Sequence, residues 1–172
     1  MRFARRTYAA FLVGASLWCT LFLLPPFLTA AGDAGRVLSQ SLFAFFHLLC
    51  HQLDDRSFHV YGVPLAVCSR CASAYLGFLA GSIMYPVIRD VRRPESAGRA
   101  FAAIAVLPML LDIGFGMTGA HAVTNISRAI TGGWFGLLIP FLVIPGTIEG
   151  VELILTPRSA PIPPHMKGSD DA

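Results

Sequence analysis

The chain has 172 residues, 55% of them hydrophobic and 13% charged, with a formal net charge of +3. An ordinary soluble domain is about one-quarter charged, so this chain has too little polar surface to cover a globule in water, and its mean hydropathy of +0.63 agrees. The positive excess comes largely from arginines that flank apolar runs, which excludes a nucleic-acid footprint and reads as a membrane topology signal.

Four runs have the roughly 20 apolar residues that a helix needs to cross a bilayer. The first spans about 7–30, preceded by Arg2, Arg5 and Arg6. It is longer than the apolar part of a signal peptide, and Pro25-Pro26 interrupt it near its end, so it reads as an uncleaved span. Cys19 sits within it among apolar residues and reads as inert.

The next segment, about 37–53, is short for a span and contains His47 and His51. Leu38, Leu42, Phe45, Phe46 and Leu49 recur at helical spacing, which predicts an interfacial or re-entrant helix. Leu53-Asp54-Asp55 reads as its end. A polar loop bearing Pro and Gly follows, up to Val67.

The second span, about 68–88, opens on Cys68-Ser69-Arg70-Cys71 and contains Gly77-x-x-x-Gly81. A solvated turn with Arg89, Arg92, Arg93 and Arg99 leads to the third span, about 100–118, which holds Asp112. The fourth, about 127–148, follows Asn125, includes Arg128 and carries Gly132-x-x-x-Gly136. Such small-residue spacings let helix backbones approach closely. The Pro-rich stretch 156–172 is expected to be a disordered tail. The predicted fold is therefore all-α: one integral membrane domain over 1–155, with four spans and a short helix outside them.

Charge bias orients the chain. Placing the arginines before the first span and between the second and third in the cytoplasm requires that 37–53 not cross. Both termini are then cytoplasmic, and 31–67 is extracytoplasmic. Cys68 and Cys71 open the second span at that outer face. Asp112 lies about 9 Å in from the outer end of the third. Asn125 and Arg128 begin the fourth, so the unusual polar residues converge on one side.

Three of the four cysteines fall between Cys50 and Cys71. A C-x-x-C at a helix start with an upstream thiol can hold a metal, form a redox pair, or be inert. With an imidazole it completes a Cys3His set, a common structural zinc combination. His51 is the favoured imidazole if the helix ends beside it, with His47 as the alternative on the helix face of Cys50. Asp112 is ionisable inside a span, which marks a candidate site. It is a candidate ligand-binding residue or general base, or else the partner of Arg128 in an ion pair that locks two helices. Arg128 can instead bind an anionic headgroup, with Asn125 one turn away on the same face. Arg56 and Arg70 lie near the same surface.

Cys-His-Gln (50–52), Arg-Ser-Phe (56–58), Gly62, Cys-Ser-Arg-Cys (68–71), Tyr75-x-Gly77 and Gly81 resemble the Domain of Unknown Function 2085 family of small prokaryotic membrane proteins. Asp112, Thr-Asn (124–125), Arg128 and Thr-Gly (131–132) resemble its second block. The resemblance covers about 37–140 and implies the membrane placement and the residue set, with no reaction attached. Cys-Ala-Ser after Arg70 departs from the family pattern of a Thr-Gly or similar pair.

The functional expectation is a zinc site on Cys50, His51, Cys68 and Cys71 beside a polar cavity of Asp112, Asn125 and Arg128. That cavity would bind or act on a membrane lipid or another anionic headgroup. One rival is a membrane thiol oxidoreductase using the C-x-x-C, similar to the vitamin K epoxide reductase arrangement, though only Cys50 is available as a loop shuttle thiol. Another is a small transporter or accessory subunit gated by Asp112 and Arg128.

Overall fold

A backbone in hydrocarbon must satisfy its own polar groups, and the apolar runs do so as helices. The computed structural model describes residues 2–90, 98–119 and 122–155. The tail 156–172, Arg92, Arg93 and His121 lie outside the described residues. Helix α1 is Arg2–Leu23, and the short α2 is Pro25–Thr29. The break falls at Leu24 because Pro25 and Pro26 have no N–H for the helical ladder but suit the first turn of a new helix. Helix α3 is Asp33–His47. A hairpin follows, with β1 at Ser57–Val60 and β2 at Val63–Cys68. Then come α4 (Ser69–Ile88), α5 (Arg99–Thr118), α6 (Asn125–Leu138) and α7 (Pro140–Leu155).

Four helical stretches are long and apolar enough to cross a membrane: Ala4–Leu23, Ser69–Ile88, Arg99–Thr118 and Asn125–Val151. The last joins α6 to most of α7, so the fourth run exceeds its predicted limits at both ends. Exposed Leu17, Ile83, Ile104, Leu110 and Ile130 give these helices the apolar outer surface that lipid requires.

Two local expectations are corrected. The interfacial helix begins at Asp33 and ends at His47, several residues before Leu53. Asp33 in its first turn pairs with Arg36 at 3.0 Å and suits the positive helix end. The loop after it contains an antiparallel β-hairpin. Val60 pairs with Val63, leaving Tyr61 (φ 53°) and Gly62 (φ 78°) as a two-residue turn with both dihedrals positive. The strand signal was obscured because Leu65, Ala66 and Val67 are all buried and do not alternate.

Neighbouring spans alternate in direction. Tyr8 Oη donates to the Ser82 carbonyl at 2.7 Å near one end of α1, and Trp18 packs on Tyr75 near the other. Trp134 Nε1 of α6 donates to the Ile104 carbonyl of α5 at 3.0 Å. Helices α4 and α6 run parallel and meet through glycines. A Cβ on Gly77 would strike the Gly133 carbonyl, one on Gly81 the Leu137 carbonyl, and one on Gly136 the Ala74 carbonyl. The two small-residue seams predicted from spacing therefore face each other.

This crossing aligns the starts of α4 and α6 at one end of the bundle. The core there includes Phe22, Phe46, Val67 and Ala72. A second core at the opposite end holds Tyr85, Phe141, Ile144 and Ile148.

Candidate metal centre and arginine cleft

Cys50 follows the last turn of α3, Cys68 ends β2 and caps α4, and Cys71 lies in the first turn of α4. Folding the hairpin back brings their sulfurs within 4.8 Å of one another. Cys68 Sγ and Cys71 Sγ are 3.4 Å apart, and the Cys68 N–H donates to Cys50 Sγ at 3.2 Å. Hydrogen bonds from the Cys68 and Cys71 side chains draw Cys50 well below the ordinary cysteine pKa, outweighing the opposing effect of its burial. None of the four cysteines is joined in a disulfide. Zinc–thiolate bonds of about 2.3 Å put tetrahedral sulfurs roughly 3.8 Å apart, so this triangle matches the size of a zinc site.

Gln52 holds Cys50 in place. Its backbone is left-handed (φ 51°), and its Nε2 donates to Phe43 O at 2.8 Å and Ala66 O at 2.7 Å. One side chain thus ties α3 to β2 across the thiols. Sequence reasoning assigned no role to Gln52, although it is part of the Cys-His-Gln motif. His51 is exposed and stands outside the group of three sulfurs, as does exposed His47.

Asp112 is corrected most. Its side chain is 5% exposed, and its partner is Arg70, not Arg128. Thr131 Oγ1 lies 3.5 Å from the same carboxylate but gives its one hydrogen to the Ser127 carbonyl at 2.9 Å. The carboxylate is thus held in an ion pair between α4 and α5. Arg70 falls between two cysteines in sequence but points away from them because adjacent helical residues diverge by about 100°. It reaches α5, and its Nε is buried without a hydrogen-bond partner among the described residues.

Asn125 acts as a tie. It accepts from Ser69 Oγ at 3.1 Å and from Arg128 Nη1 at 3.3 Å, and it donates to the Asp55 carbonyl at 3.2 Å. Thr124 caps α6 in a reciprocal pair with Ser127, which fixes where that helix begins. Neither Asp112 nor Asn125 is among the residues that line the adjoining cleft. The open space is a cleft of about 320 Å³ lined by all three clustered cysteines, His51, Arg56, Arg70, Arg128, Leu49 and Leu53.

The family description "Predicted membrane protein (DUF2085)" matches residues 50–142, from the first clustered cysteine through α6. The chain belongs to this family. An uncharacterised protein of Methanocaldococcus jannaschii is 30% identical over 144 residues, covering 82% of this chain and 92% of its own length. An uncharacterised protein of Methanothermobacter thermautotrophicus is 30% identical over 87 residues, covering 51% of this chain and 77% of its own length. No solved structure matches. The DUF2085 match begins at Cys50 and takes in Arg70, Asp112 and Arg128, so it covers the thiol cluster and the arginine cleft together.

Proposed function

We propose that this membrane protein carries a zinc–thiolate centre at the extracytoplasmic end of its bundle, opening on a cleft that receives an anionic ligand. The triangle of sulfurs within 4.8 Å carries the reading. Zinc suits thiolate donors and needs no redox partner. His51 directly follows Cys50 and lines the same cleft, which makes it our fourth ligand. A closed Cys3His set would be structural, fastening the end of α3 and the hairpin to α4.

Cys68→Ser and Cys71→Ser are each expected to abolish stoichiometric zinc in the purified protein, measured by elemental mass spectrometry, and to lower its melting temperature. His51→Ala should lose more zinc than His47→Ala; the reverse order would transfer the imidazole role to His47. Metal-free wild type with a Cys68–Cys71 disulfide would instead support the thiol oxidoreductase, for which the 3.4 Å sulfur separation is the favouring observation.

The orientation rests on positive charge near Arg5, Arg6, Arg89 and Arg99. In intact cells a membrane-impermeant thiol reagent should label Asp33→Cys above the parental background, whereas Gly98→Cys should stay at background. Labelling at position 98 would invert the bundle and place the thiols in the cytoplasm.

A further inference from the structure

We infer that the anion taken by the cleft is a phosphate group, carried by a lipid whose apolar part lies against Leu49 and Leu53. This rests on reading the cleft as the binding surface and deepens it to a ligand class. Three guanidiniums line the space, and they are unequally committed. Arg70 is matched by Asp112. Arg56 is 3.6 Å from Asp55, whose side chain is 76% exposed, so water screens that pair. Arg128 has only the Asn125 amide oxygen as a partner and no carboxylate among the described residues.

The charge balance points the same way. Three guanidiniums set against Asp112, the water-screened Asp55 and the net negative charge of a zinc tris-thiolate come to about neutral. The N-terminal ends of α4 and α6, joined through Ser69 and Asn125, add about one positive charge between them. A phosphate monoester carries about −1.5 to −2 at neutral pH and offers three acceptor oxygens. A carboxylate has two oxygens rather than three and would leave guanidinium donors unfilled. Guanidinium forks match phosphate oxygens in pairs. Leu49 and Leu53, which line the cleft, are 53% and 43% exposed. That surface favours a lipid as the bearer of the phosphate.

The test uses the full chain in phosphatidylcholine nanodiscs, with zinc quantified on each preparation. Dioctanoyl phosphatidic acid and inorganic phosphate are titrated separately by calorimetry. Phosphatidic acid is expected to bind wild type, and Arg128→Gln to weaken it at least about tenfold with zinc content unchanged. Arg128→Lys should fall between, since a point charge cannot make the paired contact. Arg56→Gln, on an exposed loop, should weaken binding several-fold, about one screened ionic contact, and it stands in if Arg128→Gln misfolds.

Binding of inorganic phosphate as tight as that of phosphatidic acid would overturn the lipid source while keeping the phosphate site. Zinc-replete protein that binds neither probe, or variants that bind like wild type, would overturn the inference. Arginine-dependent binding by zinc-free protein would leave it standing and remove the metal reading instead.

Discussion

Asp112→Asn is expected to destabilise the protein by about 3–5 kcal/mol, because it leaves the Arg70 guanidinium unpaired in a low-dielectric place. Arg70→Gln should cost a similar amount by stranding the carboxylate. The double substitution removes both charges and should fall short of the sum of the single effects by about 1–3 kcal/mol. The same cycle run on Asp112 and Arg128 should show weaker coupling, since Arg128 bonds to Asn125 and Asp112 to Arg70. Denaturant unfolding in mild detergent reads all of these values. Coupling stronger for Arg128 than for Arg70 would return Asp112 to the partner that sequence order suggests. Arg70 also lines the cleft, so a double mutant that regains stability should still bind phosphate less well than wild type.

The second large effect is in the seam. Gly136→Ala adds one Cβ where the Ala74 carbonyl already lies. Overpacking typically costs about 1–3 kcal/mol, and the obstacle here is backbone that cannot rotate away, so we expect the upper end. Gly81→Ala should behave alike, because its Cβ meets the Leu137 carbonyl. On α1, a Cβ at Gly14 would meet nothing within 4 Å, so Gly14→Ala should be neutral or stabilising by up to about 1 kcal/mol through helix propensity. Equal losses at 14 and 136 would mean that glycine matters in this chain for a reason other than close packing. Since the seam aligns Ser69 with Asn125, Gly136→Ala should also reduce zinc retention, a link that Gly14→Ala would not show.

Long-range order along the chain was largely legible in the sequence. Apolar length alone locates the spans, and the Gly-x-x-x-Gly spacings mark the faces of α4 and α6 that meet. The gathering of thiols, Asp112 and Arg128 at one end follows from alternating directions, which counting crossings already implies. Rotation about each helix axis was not legible. Lipid-facing helices have weak amphipathic patterns, with α4 and α5 apolar nearly all round, so nothing in their periodicity shows that Arg70 rather than Arg128 faces Asp112. The hairpin was hidden for a different reason. Its turn uses Tyr61-Gly62 instead of the usual Asn-Gly, and its second strand is buried on both faces. The end of α3 was misplaced because the apolar spacing continues through Leu49 after the helical backbone has stopped at His47.

The Arg70–Asp112 pair joins consecutive helices, and that bears on how the protein is made. A chain leaving the ribosome presents α4 first, with a charge only two residues into its first turn. Such an arginine can reach the headgroup layer while it waits. Helix α5 then delivers the buried carboxylate to a cation already in place, so neither charge has to wait in hydrocarbon for a distant segment. The glycine seam cannot close until α6 follows. Both partners of the ion pair are therefore synthesised before the seam can be completed, and a nascent chain arrested after α5 should already hold its polar pair while its thiol end still lacks the clamp that Asn125 provides.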